Sequence, residues 1–157
     1  MKREISKQWK VTHTQNSPSH TQGWVLEPGR WEEFDPFLIM AEDWFQKGTF
    51  GFHPHRGIET VTYVVDGELH HKDNHGGEGI LKKGDVQWMT AGKGILHAEE
   101  PVGDQTVHSL QLWINLPAKN KMTDTRYQDL YQQDMPLMKE QGTSIRIFSG
   151  TYKGKQA

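Results

Sequence analysis

Short β-branched runs, each cut off by glycine or proline, constrain this chain more than any other feature. The clearest is Thr60-Val61-Thr62-Tyr63-Val64-Val65. Gly 16 and Pro 7 leave few stretches with a helical period, so the chain reads as a turn-rich β protein. Asp66-Gly67 follows the first run, and both residues tolerate the positive φ of a type I′ turn. A hairpin is therefore expected there, with residues 68–73 as the returning strand. Residues 86–90 form another strand after a turn at Gly84-Asp85. In residues 107–116, Leu110, Leu112, Ile114 and Leu116 share one face, while Gln111, Trp113 and Asn115 take the other. Residues 144–150 look like a last strand. Residues 10–14 allow a short strand, 16–23 read as loop, and 123–131 fit a short helix or a loop. Many short strands and hardly any helix predict an all-β sandwich or barrel.

Two histidine pairs stand out against this frame. In Phe52-His53-Pro54-His55, the imidazoles sit two residues apart at the entrance to a β-branched run. Side chains alternate along an extended strand, so His53 and His55 share a face. Pro54 cannot donate to a ladder, which suits a strand start, an edge or a bulge. In Ile95-Leu96-His97-Ala98-Glu99, His97 and Glu99 share a face by the same rule. A lone His-x-His is a weak signal, and the second pair at matching spacing strengthens it. Three imidazoles and one carboxylate would form a mixed nitrogen and oxygen metal site. The donors suit iron, manganese, nickel, copper or zinc. Around a tetrahedral zinc they would close the shell. Around an octahedral ion they would leave about two positions open.

The other histidines read more plainly. His13 and His20 sit in polar surroundings and are expected on the solvated surface. His70 and His71 are adjacent and point to opposite faces, so at most one looks inward. These two and His75 are expected to be structural. His108 aligns with the apolar face of its strand, as a hydrogen-bonded core or rim histidine. Gly92 and Gly94 lack the third glycine of a dinucleotide loop and the Lys-Ser/Thr of a P-loop. Tight turns between strands account for them.

Composition narrows the function. At 157 residues the chain suits one domain. A net charge of -2 argues against direct nucleic-acid binding through a basic face. Cys is absent, which excludes a disulfide framework and a thiolate zinc site and is compatible with a cytoplasmic location. The first seven residues are charged with no apolar stretch behind them, so no signal peptide is expected. No apolar run is long enough to cross a bilayer.

The residues also carry a resemblance. Asp35-Pro36-Phe37-Leu38, the segment from Phe52 to Val61, the segment from Gly84 to Glu99, and Leu110-Gln111-Leu112-Trp113-Ile114-Asn115-Leu116-Pro117 resemble the pirin family of the cupin superfamily. The likeness covers most of residues 24–150. It implies a cupin-type jelly roll with one divalent metal, usually iron, on His53, His55, His97 and Glu99. It makes Glu59 a non-ligand, although a typical cupin uses the glutamate of its first motif. Pirins usually contain two cupin domains, with the metal in the N-terminal one. Residues 1–157 are thus expected to form a single cupin domain, with 118–157 an irregular C-terminal extension and the second cupin domain absent. Surface that a second domain would cover favours association, so a homodimer is expected.

The resemblance implies two activities. One is a quercetin 2,3-dioxygenase acting on a small, flavonol-like aromatic, with the metal as Lewis acid and template and Glu99 as the catalytic base. The alternative is a non-enzymatic, metal-dependent regulatory protein of the transcription co-regulator kind. An enzyme needs a pocket with open coordination at the metal, whereas a binding protein needs only a responsive surface.

Overall fold

Two antiparallel sheets enclose the core in a computed structural model that describes residues 4–157. In chain order the strands are β1 (His13–Ser17), β2 (His20–Leu26), β3 (Phe37–Phe45), β4 (Phe50–His55), β5 (Ile58–Asp66), β6 (Glu68–Asp73), β7 (Glu78–Lys82) and β8 (Val86–Thr90). Then come β9 (Ile95–Pro101), β10 (Val107–Asn115), β11 (Arg126–Leu130), β12 (Leu137–Glu140), β13 (Thr143–Arg146), β14 (Thr151–Tyr152) and β15 (Lys155–Gln156). Among the described residues, helix is limited to α1 (Trp31–Phe34) and a 3-10 turn at Ala118–Asn120. A seven-stranded sheet runs in the order β1-β2-β3-β10-β5-β8-β11, and a four-stranded sheet in the order β4-β9-β6-β7. The expected all-β jelly-roll sandwich is the observed fold. No helix among the described residues is long and apolar enough to cross a membrane.

Inward residues of both sheets share the core. Phe45, Val64 and Val107 of the large sheet pack with Leu69 and Leu81 of the small one. Ile58 and Met89 pack with Ala91 and Ile95 at the other end of the sandwich. A third cluster lies on the outer face of the large sheet, where Val61 and Val86 meet Met135, with Trp88, Leu112, Ile114 and Leu130 around them. The apolar side of β10 therefore faces outward under the C-terminal segment. Its mixed side, with Ser109, Gln111 and Trp113, faces the interior.

Several local expectations need correction. Asp66-Gly67 is no hairpin, because β5 belongs to the large sheet and β6 to the small one. Gly67, at φ +88, turns the chain across the sandwich, and a Cβ there would meet the Thr106 carbonyl oxygen at 3.0 Å. Residues 16–23, read as loop, are largely a hairpin, with His13 opposite Gly23 and Ser17 opposite His20. This ribbon is the polar margin of the large sheet, so it has no apolar alternation to reveal it. Residues 123–131 supply β11, which pairs with β8, rather than a helix. Residues 118–157, expected to be irregular, also include the β12-β13 and β14-β15 hairpins.

Candidate metal centre

The pairing of β4 with β9 assembles the centre. His53 lies opposite His97 and His55 opposite Ile95, with a register shift between Phe50 and His53. Directly opposed residues of an antiparallel pair project to the same side. His53, His55, His97 and Glu99 consequently all face the interior of the sandwich. One nitrogen from each histidine falls in a group whose atoms lie within 4.8 Å of one another. His55 and His97 are buried, and His53 is partly exposed.

The turn between β8 and β9 fixes the placement of His97. Gly92 has φ +48, and a Cβ there would meet the Thr123 carbonyl oxygen at 2.1 Å. The Gly92 carbonyl accepts from the Gly57 N–H at 2.7 Å, which ties this turn to the end of β4.

These imidazoles are left in a form that a metal can use. The Nε2 atoms of His55 and His97 are buried with no hydrogen-bond partner, a state that costs about 1–3 kcal/mol per atom unless something fills it. His53 Nδ1 donates to the Gly51 carbonyl at 2.8 Å, leaving Nε2 as its lone-pair nitrogen. Burial, reinforced by the neighbouring imidazoles His97 and His53, pushes His55 down to about 4. Burial, with His53 and His71 adding to it, pushes His97 down to about 3. Both rings are then neutral at ordinary pH, as metal ligation requires. The unpaired nitrogens and the neutral rings fit a divalent ion.

Glu99 stands beside this group, outside its compact set. Its Oε2 is 4.0 Å from His97 Nε2. The Gln111 side-chain N–H donates to Oε2 at 2.9 Å and to Oε1 at 3.2 Å, and Thr62 Oγ donates to Oε1 at 3.2 Å. Trp113 donates its indole N–H to Gln111 Oε1 at 2.8 Å. A chain of donors from the large sheet thus orients the carboxylate on the small one. Glu59 lies elsewhere and accepts from Thr90 Oγ at 2.6 Å.

A cavity of about 250 Å³ opens beside the histidines, with Trp24, Phe45, Phe50 and Trp113 among its lining and Asp43, Glu99, Gln22 and Gln111 as its acidic and amide groups. Sequence reasoning missed Thr62, Gln111, Trp113 and Asp43. The one available signal was Gln111-x-Trp113 on the non-aliphatic face of a strand, which is the face turned inward. His71 is the inward member of its pair. It is buried, its Nδ1 is 3.4 Å from His97 Nδ1, and its ring packs against Tyr127 at 4.5 Å.

The expected surface position holds for His13, which is exposed, and fails for His20, which is partly buried. His13 meets Glu42 at 2.8 Å and His20 meets Asp43 at 2.8 Å. His108 also meets Glu42, at 2.9 Å, and His70 meets Glu78 at 2.6 Å. Each partner lies on another strand of the same sheet, which the linear sequence does not disclose.

Three converging imidazoles inside a jelly roll define a cupin with a candidate metal centre. The family model for pirin matches residues 12–114, and the chain belongs to the pirin family. Curated relatives carrying that name match at 42–48% identity. The chain spans less than half the length of such relatives, 44% and 42% in the first two. Among solved structures it is similar to GK1651 from Geobacillus kaustophilus, with 58% identity, a TM-score of 0.95, and coverage of 98% of this chain and 62% of that one. It is also similar to a quercetin 2,3-dioxygenase from Acinetobacter baumannii, at 32% identity and TM-score 0.76, covering 92% of this chain and 56% of the other. The bacterial pirin YhhW from Escherichia coli, solved in complex with nickel(II), is 28% identical with TM-score 0.62, covering 76% of this chain and 53% of that one.

Proposed function

We propose that this chain is a metal-dependent dioxygenase of the quercetin 2,3-dioxygenase type, acting on a flavonol-like aromatic. The observation that carries the reading is the convergence of three imidazoles, two of them held neutral by burial, beside an aromatic-lined cavity. His53, His55, His97 and Glu99 would hold one non-haem iron, and the donor set also suits manganese, nickel, copper or zinc. Such an ion, when bound, supplies Lewis acidity and a template for substrate oxygen and dioxygen. The solved relatives, one a quercetin 2,3-dioxygenase and one a nickel complex, support the substrate class and the presence of a divalent ion.

The chain's own groups do the rest. Glu99 accepts the proton of the substrate hydroxyl, and Gln111 and Thr62 keep its oxygens aimed. Trp24 and Trp113 offer flat apolar surface to the aromatic rings and limit water beside them. Residues 1–157 act in this reading as one cupin unit, cytoplasmic and homodimeric, with no direct contact to nucleic acid.

Substitution of Glu99 tests the proposal. Glu99→Gln keeps an oxygen and the approximate size but loses the charge and most of the basicity. Elemental analysis should find part of the metal retained, while oxygen consumption with quercetin falls close to zero. Equal oxidation by the wild type, the variant and metal-free protein would mean background autoxidation. The non-enzymatic, metal-dependent binding protein would then be the better reading.

A further inference from the structure

Asp43 lies on β3, on the sheet that faces the histidines. Its cross-strand neighbours are Gln22 on β2 and Ser109 on β10. Asp43 is only 4% exposed, yet it lines the cavity. One carboxylate oxygen, Oδ1, takes both nearby donors, His20 Nε2 at 2.8 Å and Gln22 Nε2 at 3.0 Å. The other, Oδ2, takes no hydrogen bond from any described residue. His20 is itself wedged edge-on against Phe50, with ring centroids 5.3 Å apart. The carboxyl is thus braced on one side and free on the other, next to an aromatic lining.

Oδ2 is not sealed off as an orphaned buried atom and stays open to the cavity that Asp43 lines, and Asp43 is not part of the compact histidine group. Burial raises its pKa, and the Glu99 charge adds to that effect, against the lowering hydrogen bonds from His20 and Gln22. A full negative charge is disfavoured there.

We infer that Asp43 is a substrate-binding residue whose free oxygen accepts a hydrogen bond from a phenolic hydroxyl, held on a ring remote from the oxygen that meets the histidine cluster. This rests on the reading that the cavity takes a flavonol-like aromatic. It adds a specificity determinant to that reading: polyhydroxylated aromatics are selected over those lacking the remote hydroxyl. Sites built to bond a hydroxyl reject analogues without it, because their own polar groups are then left unpaired.

The test compares quercetin with 3-hydroxyflavone, which keeps the hydroxyl and carbonyl directed at the metal but lacks the other hydroxyls. Binding to metal-loaded protein is read from tryptophan fluorescence quenching, and turnover from oxygen consumption. Wild type should bind quercetin at least roughly tenfold more tightly, the scale of one hydrogen bond to a charged or strongly polar group. Asp43→Asn should bring the two ligands close to equal by weakening quercetin alone. Asp43→Ser serves the same purpose should the amide variant fold poorly, and metal content and melting temperature confirm that each variant is intact. Equal weakening of both ligands, or an unchanged preference, overturns the inference while leaving the dioxygenase reading in place. A preference that depends on Asp43 without any turnover upholds the inference and removes the dioxygenase reading. Failure of wild type to bind either flavonol overturns both.

Discussion

A single buried imidazole, His97, joins the chemistry of this protein to its stability. Its Nε2 has no partner and its ring is held neutral by burial. His97→Ala should cut metal content sharply, as measured by elemental analysis, and leave the sandwich folded. Full metal occupancy in that variant would remove His97 from the site. The pH dependence follows from the same burial. In the unfolded chain these histidines titrate near 6.5, whereas the fold holds His55 near 4 and His97 near 3. Between those limits the unfolded state takes up protons that the native state refuses, so stability falls as pH falls. Each group contributes up to about 1.4 kcal/mol per pH unit across its window. The urea midpoint of metal-free protein should drop between pH 7 and pH 5, and a flat profile would contradict the neutral-ring account. For the same reason proton competition with the metal at these two nitrogens is expected nearer 4 than the bare histidine value. At this scale the two His pairs were legible in the sequence because strand alternation alone puts each pair on one face. The Gln111 and Thr62 contacts to Glu99 were not, since they cross from one sheet to the other, and the His20 contact to Asp43 was not, since no local pattern announces the pairing of β2 with β3.

The turns that carry the chain between sheets govern where those residues land. Gly92, at φ +48 and pressed on the Thr123 carbonyl, admits no side chain. Gly92→Ala should destabilise the protein by at least about 1–3 kcal/mol, and it should lower metal loading as well because His97 follows directly on β9. A melting temperature unchanged from wild type would show that the turn relaxes freely. The strands with dense β-branched or aliphatic runs, β5, β8 and β10, were legible for the usual reason that such residues fit a pleated, half-buried surface. The polar β1 and the mixed β11 gave no such signal. Asp66-Gly67 misled because the positive φ of Gly67 serves a crossing between sheets as well as it serves a hairpin. Local chemistry reports the bend and says nothing about which strands pair beyond it.

The whole molecule has apolar material on both sides of its large sheet. Met135, from the C-terminal segment, is buried on the outer face against Val61 and Val86. Met135→Ala should cost about 2 kcal/mol, the lower end of the range for emptying a core position, given its place at the margin. The urea midpoint should fall while metal content stays at the wild-type level, because the histidines lie on the opposite sheet. Loss of metal in that variant would show that the outer cover and the centre are coupled. The sequence made the all-β class legible, yet it left open which face of β10 points inward, since both faces carry large side chains. One arrangement has a longer reach. The small sheet contributes all three imidazoles and Glu99, while the large sheet contributes much of the surrounding lining, with Gln111 the main group that reaches between them. Under the proposed function, reactivity and diet are therefore separable traits in this architecture. Drift at inward positions of β2 and β3 can retrain what the protein accepts without disarming it.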